Sequence, residues 1–203
     1  KLVVADARRI ELATLADVHL QLRPGTNVAL YNGLAHVIVR DGLHDAPFVE
    51  ARVGGFEAYR DHIAAWDPER VEEITGVPGG LLEEAAHLYA SSKPAAISYG
   101  LGVTEQAQGT AGVRCLANLA ALTGNLGKRG AGVNLLRGQN NVQGSSDMGA
   151  LPTYLTMYRS TGDDAVRASF EEVWGRPIRP ERGMMVPEMI DAAVRGDLAA
   201  LYV

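Results

Sequence analysis

Short apolar runs, which are typical of strands, alternate along this chain with segments whose apolar residues recur at a helical period. Residues 1–6 have the composition of a buried strand, and residues 18–22 alternate apolar with polar side chains, as in a half-buried strand. A short helical turn is predicted between them, over residues 10–16. Apolar residues then recur with a helical period up to Val39, and Thr26 or Asn27 is placed to cap the start of this helix.

Helical segments fill the middle of the chain, and a strand follows them. The spacing of apolar residues predicts helices over residues 46–53, 56–66, 71–74 and 81–90. Asp67, followed by Pro68, is predicted to be the N-cap that opens the third of these helices. A small apolar strand, Ala95–Gly100, then leads through a loop into a helix from about Thr110 to Leu122, with Gly124 at its C-terminal cap. Near the end, Pro187–Val194 is predicted as a helix that leads into a last strand over residues 197–203.

This order of elements predicts an α/β fold. We expect a Rossmann-like doubly wound parallel sheet with helices on both faces, plus part of a second α/β domain. The expected domains are residues 1–139 and residues 140–203. Because the chain both opens and stops in a strand, we also expect it to be an excised piece of a longer protein.

One long segment, Thr123–Met148, has no helical or strand period. It combines glycines, side-chain amides and Arg137. Loops of this length in compact domains are usually functional or disordered, and glycine lets the backbone approach a ligand closely. The interleaved apolar residues argue against disorder, so the segment is predicted to form a wall of a binding site. In doubly wound sheets, ligands bind outside the carboxyl ends of strands, and the loops Asp6–Arg9, Pro24–Asn27 and Gly100–Thr110 are candidates for that position.

Composition narrows the classes of function. The net charge of −5 and the scattered basic residues give no electrostatic footprint for nucleic acid. The single cysteine, Cys115, excludes an internal disulfide framework and a cysteine cluster site within the chain. The five histidines stand at polar positions without metal-ligand spacing, so we expect each to be solvated and predict no metal site. No apolar run is long enough for a membrane span, and no signal peptide is visible.

Two charged residues, Arg137 and Asp6, are the strongest candidates for binding a ligand. Arg137 presents a planar cationic fork beside Gln139 and two asparagines, which suits a carboxylate or a phosphate; the alternative is a solvated loop arginine. Asp6, at a strand end, could accept hydrogen bonds from a guanine edge or a ribose, or could simply cap the following turn. Cys115 lies among apolar helical positions and is predicted to be a packed thiol.

The run from Gly100 to Pro152, which includes RGQNNVQGSSDMG, resembles the catalytic subunits of molybdenum or tungsten formate dehydrogenases in the molybdopterin oxidoreductase superfamily. The segments VVADARR and LRPGTNVALYNGLAHVI are similar to the family's strand-Asp-Pro-Arg and PGTD-type segments, so the likeness covers essentially the whole chain. Nitrate reductases tend to have threonine where Arg137 stands. Arg137 therefore favours formate dehydrogenase over that sister enzyme.

The resemblance implies a pair of molybdopterin guanine dinucleotides (bis-MGD) that hold Mo or W, and a 4Fe-4S cluster elsewhere in the parent enzyme. Formate would be the substrate, and electron-transfer subunits and a cytoplasmic location are expected. By position, Arg137 matches the arginine that orients formate, with Gln139 as its neighbour. The implied cofactor-binding residues are Val4, Ala5, Asp6, Ala7, Gly25, Thr26, Asn27, Leu101, Gly102 and Glu105.

Departures from the family pattern leave alternatives open. Asn27 replaces the more common Asp, Ala7 replaces Pro, and Glu105 stands where Gln is frequent. A carboxylate beside an anionic cofactor is unfavourable unless it is protonated or turned away. The metal-ligating Cys or selenocysteine and the four-cysteine motif are absent from the chain, so the isolated chain is expected to be inactive. A nitrate reductase and a cofactor-free structural homologue in a respiratory complex remain the alternatives.

Overall fold

The computed structural model describes residues 1–201, and these residues form two compact units. The first unit is Lys1–Gly138, and the second begins at Gln139.

Within residues 1–201, six short strands form three two-stranded sheets. In the first unit, β1 (Val3–Ala5) pairs in parallel with β2 (Val18–Leu20), and β3 (Ala96–Tyr99) pairs in parallel with β4 (Gly132–Leu135). In the second unit, β5 (Tyr154–Leu155) and β6 (Arg159–Ser160) are antiparallel. Parallel strand pairs among helices confirm the predicted α/β class, whereas the joining of these pairs into one doubly wound sheet stays a prediction.

The helices follow one another between the strands. In chain order they are α1 (Glu11–Thr14), α2 (Asn27–Arg40), α3 (Ala46–Arg52), α4 (Phe56–Ile63), α5 (Pro68–Thr75), α6 (Gly79–Ser91), α7 (Leu101–Thr104), α8 (Gly109–Leu122), α9 (Val142–Asp147), α10 (Asp164–Trp174) and α11 (Val186–Arg195), with a 3-10 turn at Thr156–Tyr158. None of the helices in residues 1–201 is both long enough and apolar enough to cross a membrane.

Local sequence explains where several helices start and stop. Asp67 caps α5 by accepting a hydrogen bond from the backbone N–H of Arg70 at 2.9 Å, and Pro68 occupies the first helical position. Gly124, just after α8, has a φ of 63°, which is a backbone conformation that favours glycine. The predicted start of α5 and the predicted glycine after α8 are therefore confirmed.

The core of the first unit surrounds α2. Leu30, Val37 and Ile38 on this helix are fully buried, and they belong to one apolar cluster with Val71 of α5 and Leu82 of α6. The central residue of α2 that allows this approach is Gly33, where a Cβ would lie 2.7 Å from Val71 Cγ2. The cluster fixes α2, and with it the loop that precedes α2.

A buried amide connects the end of α8 to the start of β3. Asn125, 1% exposed, accepts a hydrogen bond from the backbone N–H of Ala95 at 3.0 Å. Its side-chain NH₂ donates to Thr123 Oγ1 at 2.8 Å, and that hydroxyl donates to the carbonyl of Leu119. Each of these buried polar groups is thus paired, as burial requires.

Three sequence predictions about regular structure are wrong. The predicted loop after the strand Ala95–Gly100 contains the short helix α7. The segment Thr123–Met148 has no regular sequence period and was predicted to be one long loop, yet it contains β4 and α9. The last predicted strand, over residues 197–203, is not formed by residues 197–201, and residues 202–203 lie outside the described part of the chain.

Candidate functional site: the carboxyl edge of the strand pairs

The carboxyl ends of the strands in the first unit gather the residues that the sequence singles out. Because strands within each parallel pair run the same way, the loops that follow them emerge at the same edge. We define the carboxyl edge as four segments: Asp6–Arg9, Pro24–Asn27, Gly100–Glu105 and Leu136–Gly138.

Direct contacts join the third and fourth segments. The backbone N–H of Leu136 donates to the carbonyl of Tyr99 at 2.7 Å, which continues the β3–β4 pairing past the end of both strands. A Cβ at Gly100 would lie 3.2 Å from the Leu136 carbonyl oxygen, and one at Gly138 would lie 3.9 Å from Leu101 Cδ1. The turn after β3 and the residues around Arg137 are therefore neighbours.

A single side-chain hydrogen bond joins the second segment to the third. Asn27 Nδ2 donates to the carbonyl oxygen of Gly102 at 3.1 Å, across 75 positions of sequence. Asn27 is the first residue of α2, and Gly102 lies inside α7. This bond places the loop after β2 against the turn after β3.

The first segment is held to the end of β2. The backbone N–H of Asp6 donates to the Leu20 carbonyl at 3.3 Å, and Gln21 Nε2 donates to the Ala7 carbonyl at 3.2 Å. Asp6 Oδ1 accepts from the backbone N–H of Arg8 at 2.8 Å, so the turn-capping role of Asp6 is present. Asp6 and Ala7 are half-buried, Val4 is buried and Ala5 is exposed. A ligand role for these four residues stays a prediction.

The loop before α2 exposes its backbone. Gly25 has a φ of 85°, and no heavy atom would lie within 4 Å of a Cβ placed there. Thr26 occupies the N-cap position, but its hydroxyl donates to the Arg23 carbonyl at 2.7 Å instead of accepting from the helix. The first N–H groups of this 14-residue helix are thus not capped by Thr26, and such groups favour anions.

The turn after β3 presents both apolar and charged groups. Leu101 is 39% exposed, and Glu105 is exposed as well. A Cβ at Gly102 would meet no heavy atom within 4 Å. The backbone at Gly102 is accordingly open on the side where a side chain would otherwise stand, and a ligand could approach it closely.

Arg137 follows β4 by two residues, and its side chain is exposed. Within residues 1–201 its guanidinium takes part in no salt bridge or hydrogen bond. It stands beside Leu136, which is 62% exposed. Gln139 belongs to the second unit, so its role as the neighbour of Arg137 stays a prediction.

Sequence reasoning missed a separate cleft of about 590 Å³ among α2, α4 and α8. Cys115 lies in its wall and donates to Asn32 Oδ1 at 3.5 Å, and burial raises the pKa of the Cys115 thiol. The Tyr59 hydroxyl is buried there without a hydrogen-bond partner, and burial raises its pKa too. The packed thiol was predicted. Asn32 and Tyr59 were not, since each sits in an ordinary helical pattern.

The histidines are less uniformly solvated than expected. The Nδ1 atom of His44 is buried without a partner, and its ring lies 5.3 Å from that of Phe56. The expectation of a fully solvated ring is therefore wrong at the Nδ1 atom of His44, although the residue as a whole is half-buried. Across the described residues, no three His, Cys, Asp or Glu side chains stand close enough together to hold a metal ion.

The sequence profile of the family described as Molybdopterin oxidoreductase matches residues 1–203, and this chain belongs to that family. It is 47% identical to "Formate dehydrogenase H" of Escherichia coli (strain K12), over all of this chain and 28% of that protein. It is 43% identical to the alpha subunit of a formate dehydrogenase from Methanocaldococcus jannaschii, over all of this chain and 30% of that protein.

A solved structure supports the fold. Acetylene hydratase from Pelobacter acetylenicus superposes with a TM-score of 0.62 and 34% sequence identity, covering 64% of this chain and 18% of that one. The chain thus spans less than a third of the length of the curated relatives it matches. Membership of the family implies a molybdopterin cofactor for the protein to which the chain contributes.

Proposed function

We propose that this chain is part of the catalytic subunit of a molybdopterin-dependent formate dehydrogenase, which oxidises formate to carbon dioxide. The observation that carries the proposal is the convergence of the four segments of the carboxyl edge, with the Asn27–Gly102 hydrogen bond joining two of them. Arg137 lies at the same edge, on the segment beside Leu101. The identities of 47% and 43% to formate dehydrogenases support the choice of reaction.

The carboxyl edge fits a bound nucleotide cofactor of the bis-MGD type. Backbone is open at Gly25 and Gly102, and two leucines, Leu101 and Leu136, are exposed where a bound group would cover them. Asp6, Thr26 and Asn27 offer the oxygen acceptors that a guanosine portion needs. The residues that we propose to hold the cofactor are Val4, Ala5, Asp6, Ala7, Gly25, Thr26, Asn27, Leu101, Gly102 and Glu105.

Arg137 would bind the substrate. Its guanidinium carries two parallel N–H groups that match the two oxygens of formate, and this pairing fixes the direction of the formate C–H bond. Oxidation of formate to carbon dioxide releases one proton and two electrons. The chemistry that a bound Mo or W cofactor supplies is acceptance of those two electrons, which then pass to a 4Fe-4S cluster elsewhere in the parent subunit. Gln139 is proposed to support Arg137.

Substitution of Arg137 in the full-length subunit tests this role. Arg137→Ala should weaken formate binding by about 1.5–3 kcal/mol, seen as a KM raised at least about tenfold, because a charge-assisted hydrogen bond is lost. Arg137→Lys should recover part of the loss, since it restores the charge without the fork. Arg52→Ala is the control, because Arg52 is an exposed residue of α3 outside the carboxyl edge. An unchanged KM in Arg137→Ala would refute the assignment.

Two other functions have distinct outcomes in the same preparation. A nitrate reductase would reduce nitrate and leave formate untouched. A cofactor-free structural homologue would contain neither pterin nor metal by chemical analysis. The choice of Mo or W, the electron-transfer subunits and the cytoplasmic location stay predictions.

A further inference from the structure

The turn after β3 is held from several sides although it contains only one turn of helix. Inside it, the backbone N–H groups of Val103 and Thr104 donate to the Gly100 carbonyl at 3.1 and 3.4 Å, and that of Glu105 donates to Leu101 at 2.9 Å. So short a helix has little stability of its own. Its shape must therefore come from its surroundings.

Helix α8 provides one side of this support. Val103 is buried, and a Cβ at Gly112 would lie 3.1 Å from Val103 Cγ1. A Cβ at Gly109 would overlap the carbonyl oxygen of Thr104. Two glycines of α8 thus let the turn rest directly on the helix.

Asn27 provides the support on the other side. Because α7 has only four residues, no following helical turn is available to donate to the carbonyl of Gly102. Within residues 1–201, its hydrogen-bond donor is Asn27 Nδ2 at 3.1 Å. An aspartate at position 27 could not make this bond, because an ionised carboxylate has no hydrogen to donate and would face the carbonyl oxygen with like charge.

The side-chain oxygen of Asn27, Oδ1, is available for a second hydrogen bond. While Nδ2 donates to Gly102, Oδ1 accepts no hydrogen bond from the described residues and stays available to a donor on a ligand. The amide can therefore donate to the Gly102 carbonyl and accept from a ligand N–H at the same time, without changing its charge, which a carboxylate cannot do.

We propose that Asn27 is a positioning residue, which fixes the turn Leu101–Glu105 against the start of α2 so that Leu101 and Glu105 meet the cofactor in a preset place. The turn is then already ordered before the cofactor binds. Binding therefore involves no further loss of conformational entropy in the turn, and the affinity for the cofactor is higher. This inference rests on the proposed function for the identity of the ligand, but the positioning itself does not.

Hydrogen exchange on the 203-residue chain, without cofactor, tests the positioning. In Asn27→Asp, the backbone amides of Val103, Thr104 and Glu105 should exchange about tenfold faster or more, because the turn opens once its hydrogen bond is lost. Amides in the middle of α2 and α8 should keep their rates. The matched control is Asn134→Asp, which removes another amide-to-carbonyl bond, from Asn134 Nδ2 to the Ile97 carbonyl at 3.4 Å.

Each outcome has a definite meaning. Unchanged rates at Val103, Thr104 and Glu105 would overturn the proposal, and so would an equal acceleration throughout α2 and α8, which indicates general loss of stability. In the full-length subunit, Asn27→Asp should lower the amount of pterin retained on dilution, and Asn27→Ser should leave it intermediate. If the subunit holds no pterin at all, the proposed function fails, whereas the exchange result stands unaffected.

Discussion

Gly109 and Thr104 face each other so closely that position 109 has no room for a side chain. A Cβ there would overlap the backbone carbonyl oxygen of Thr104, which cannot turn aside as a flexible side chain could. The first residue of α8 and the last residue of α7 are thereby packed backbone to backbone.

Replacing Gly109 should therefore destabilise the first unit. We expect Gly109→Ala to lower the free energy of unfolding by about 1–3 kcal/mol, because backbone must shift to relieve the overlap. Urea unfolding followed by circular dichroism measures the change. The control is Gly80→Ala in α6, where a Cβ would meet nothing within 4 Å; it should be neutral or stabilise by up to about 1 kcal/mol. Equal effects of the two substitutions would contradict this close packing of Gly109 against Thr104.

The side chain of Leu82 should contribute far more to the free energy of unfolding than that of the adjacent Leu81. Leu82→Ala removes a fully buried side chain from the cluster around α2, and we expect a loss of about 2–5 kcal/mol in the free energy of unfolding. Leu81→Ala changes the adjacent residue of the same helix, which is 37% exposed, and should cost much less. Denaturant midpoints of the two variants, measured side by side, check the difference.

Acid should weaken the contact between the C-terminal end of α2 and the middle of α6. Asp41 binds Arg40 at 2.7 Å and His87 at 2.7 Å, and Arg40 also binds Glu83 at 2.8 Å. The hydrogen bond from Arg40, followed by that from His87, holds the pKa of Asp41 well below its ordinary value of 3.8. A lowered folded-state pKa gives stability that is present above pH 3.8 and is lost as the pH falls through the folded-state value.

Asp41→Asn should accordingly lower the unfolding midpoint at pH 5, by an amount equivalent to less than about 1 kcal/mol, because the pair is partly solvated. The difference in unfolding midpoint between the variant and the parent should start to shrink once the pH falls below 3.8, the ordinary pKa of the carboxyl group. Asp61→Asn, in the more exposed Arg60–Asp61 pair, is the control and should change the midpoint less at every pH. A difference that grows towards low pH would have the wrong sign.

Cys115 should react slowly in the folded chain. Its thiol is buried, it donates to Asn32, and burial raises its pKa above the ordinary value of 9.0, so little thiolate exists at pH 8. We expect iodoacetamide to modify it at least about a hundredfold more slowly than in urea, where the chain is unfolded. Because it is the only cysteine, mass spectrometry reads the reaction without ambiguity. Labelling at the same rate in both conditions would show that the thiol is exposed.

Sequence patterns predicted long elements better than short ones. Helix α2 was expected because Leu30, Val37 and other apolar residues recur with a helical period over 14 residues. Strand β4 was missed because its four residues begin with Gly132, and because its pairing with β3 is a contact 36 positions away that no local pattern reveals. Helix α9 was missed since it has only six residues and follows Asn141 in a left-handed conformation.

The sequence likewise predicted some features of the candidate site and not others. Residue type singled out Arg137, and loop position together with the family resemblance singled out Asn27; both lie at the carboxyl edge. The sequence could not indicate that Asn27 would hydrogen-bond to Gly102, because that contact depends on how α2 packs against the βα unit. The partner of Gln139 and the roles of the ligand-facing residues stay predictions.

The buried amide of Asn125 has a consequence at the opposite end of β3. It holds Ala95, the residue immediately before β3, and five residues later the chain leaves the strand at Gly100 and enters the turn. Since one slipped residue would rotate every later side chain to the other face, the clamp sets the phase in which the turn leaves the sheet. An uncharged hydrogen-bonded pair roughly 16 Å upstream thus sets the direction of the residues that would contact the ligand.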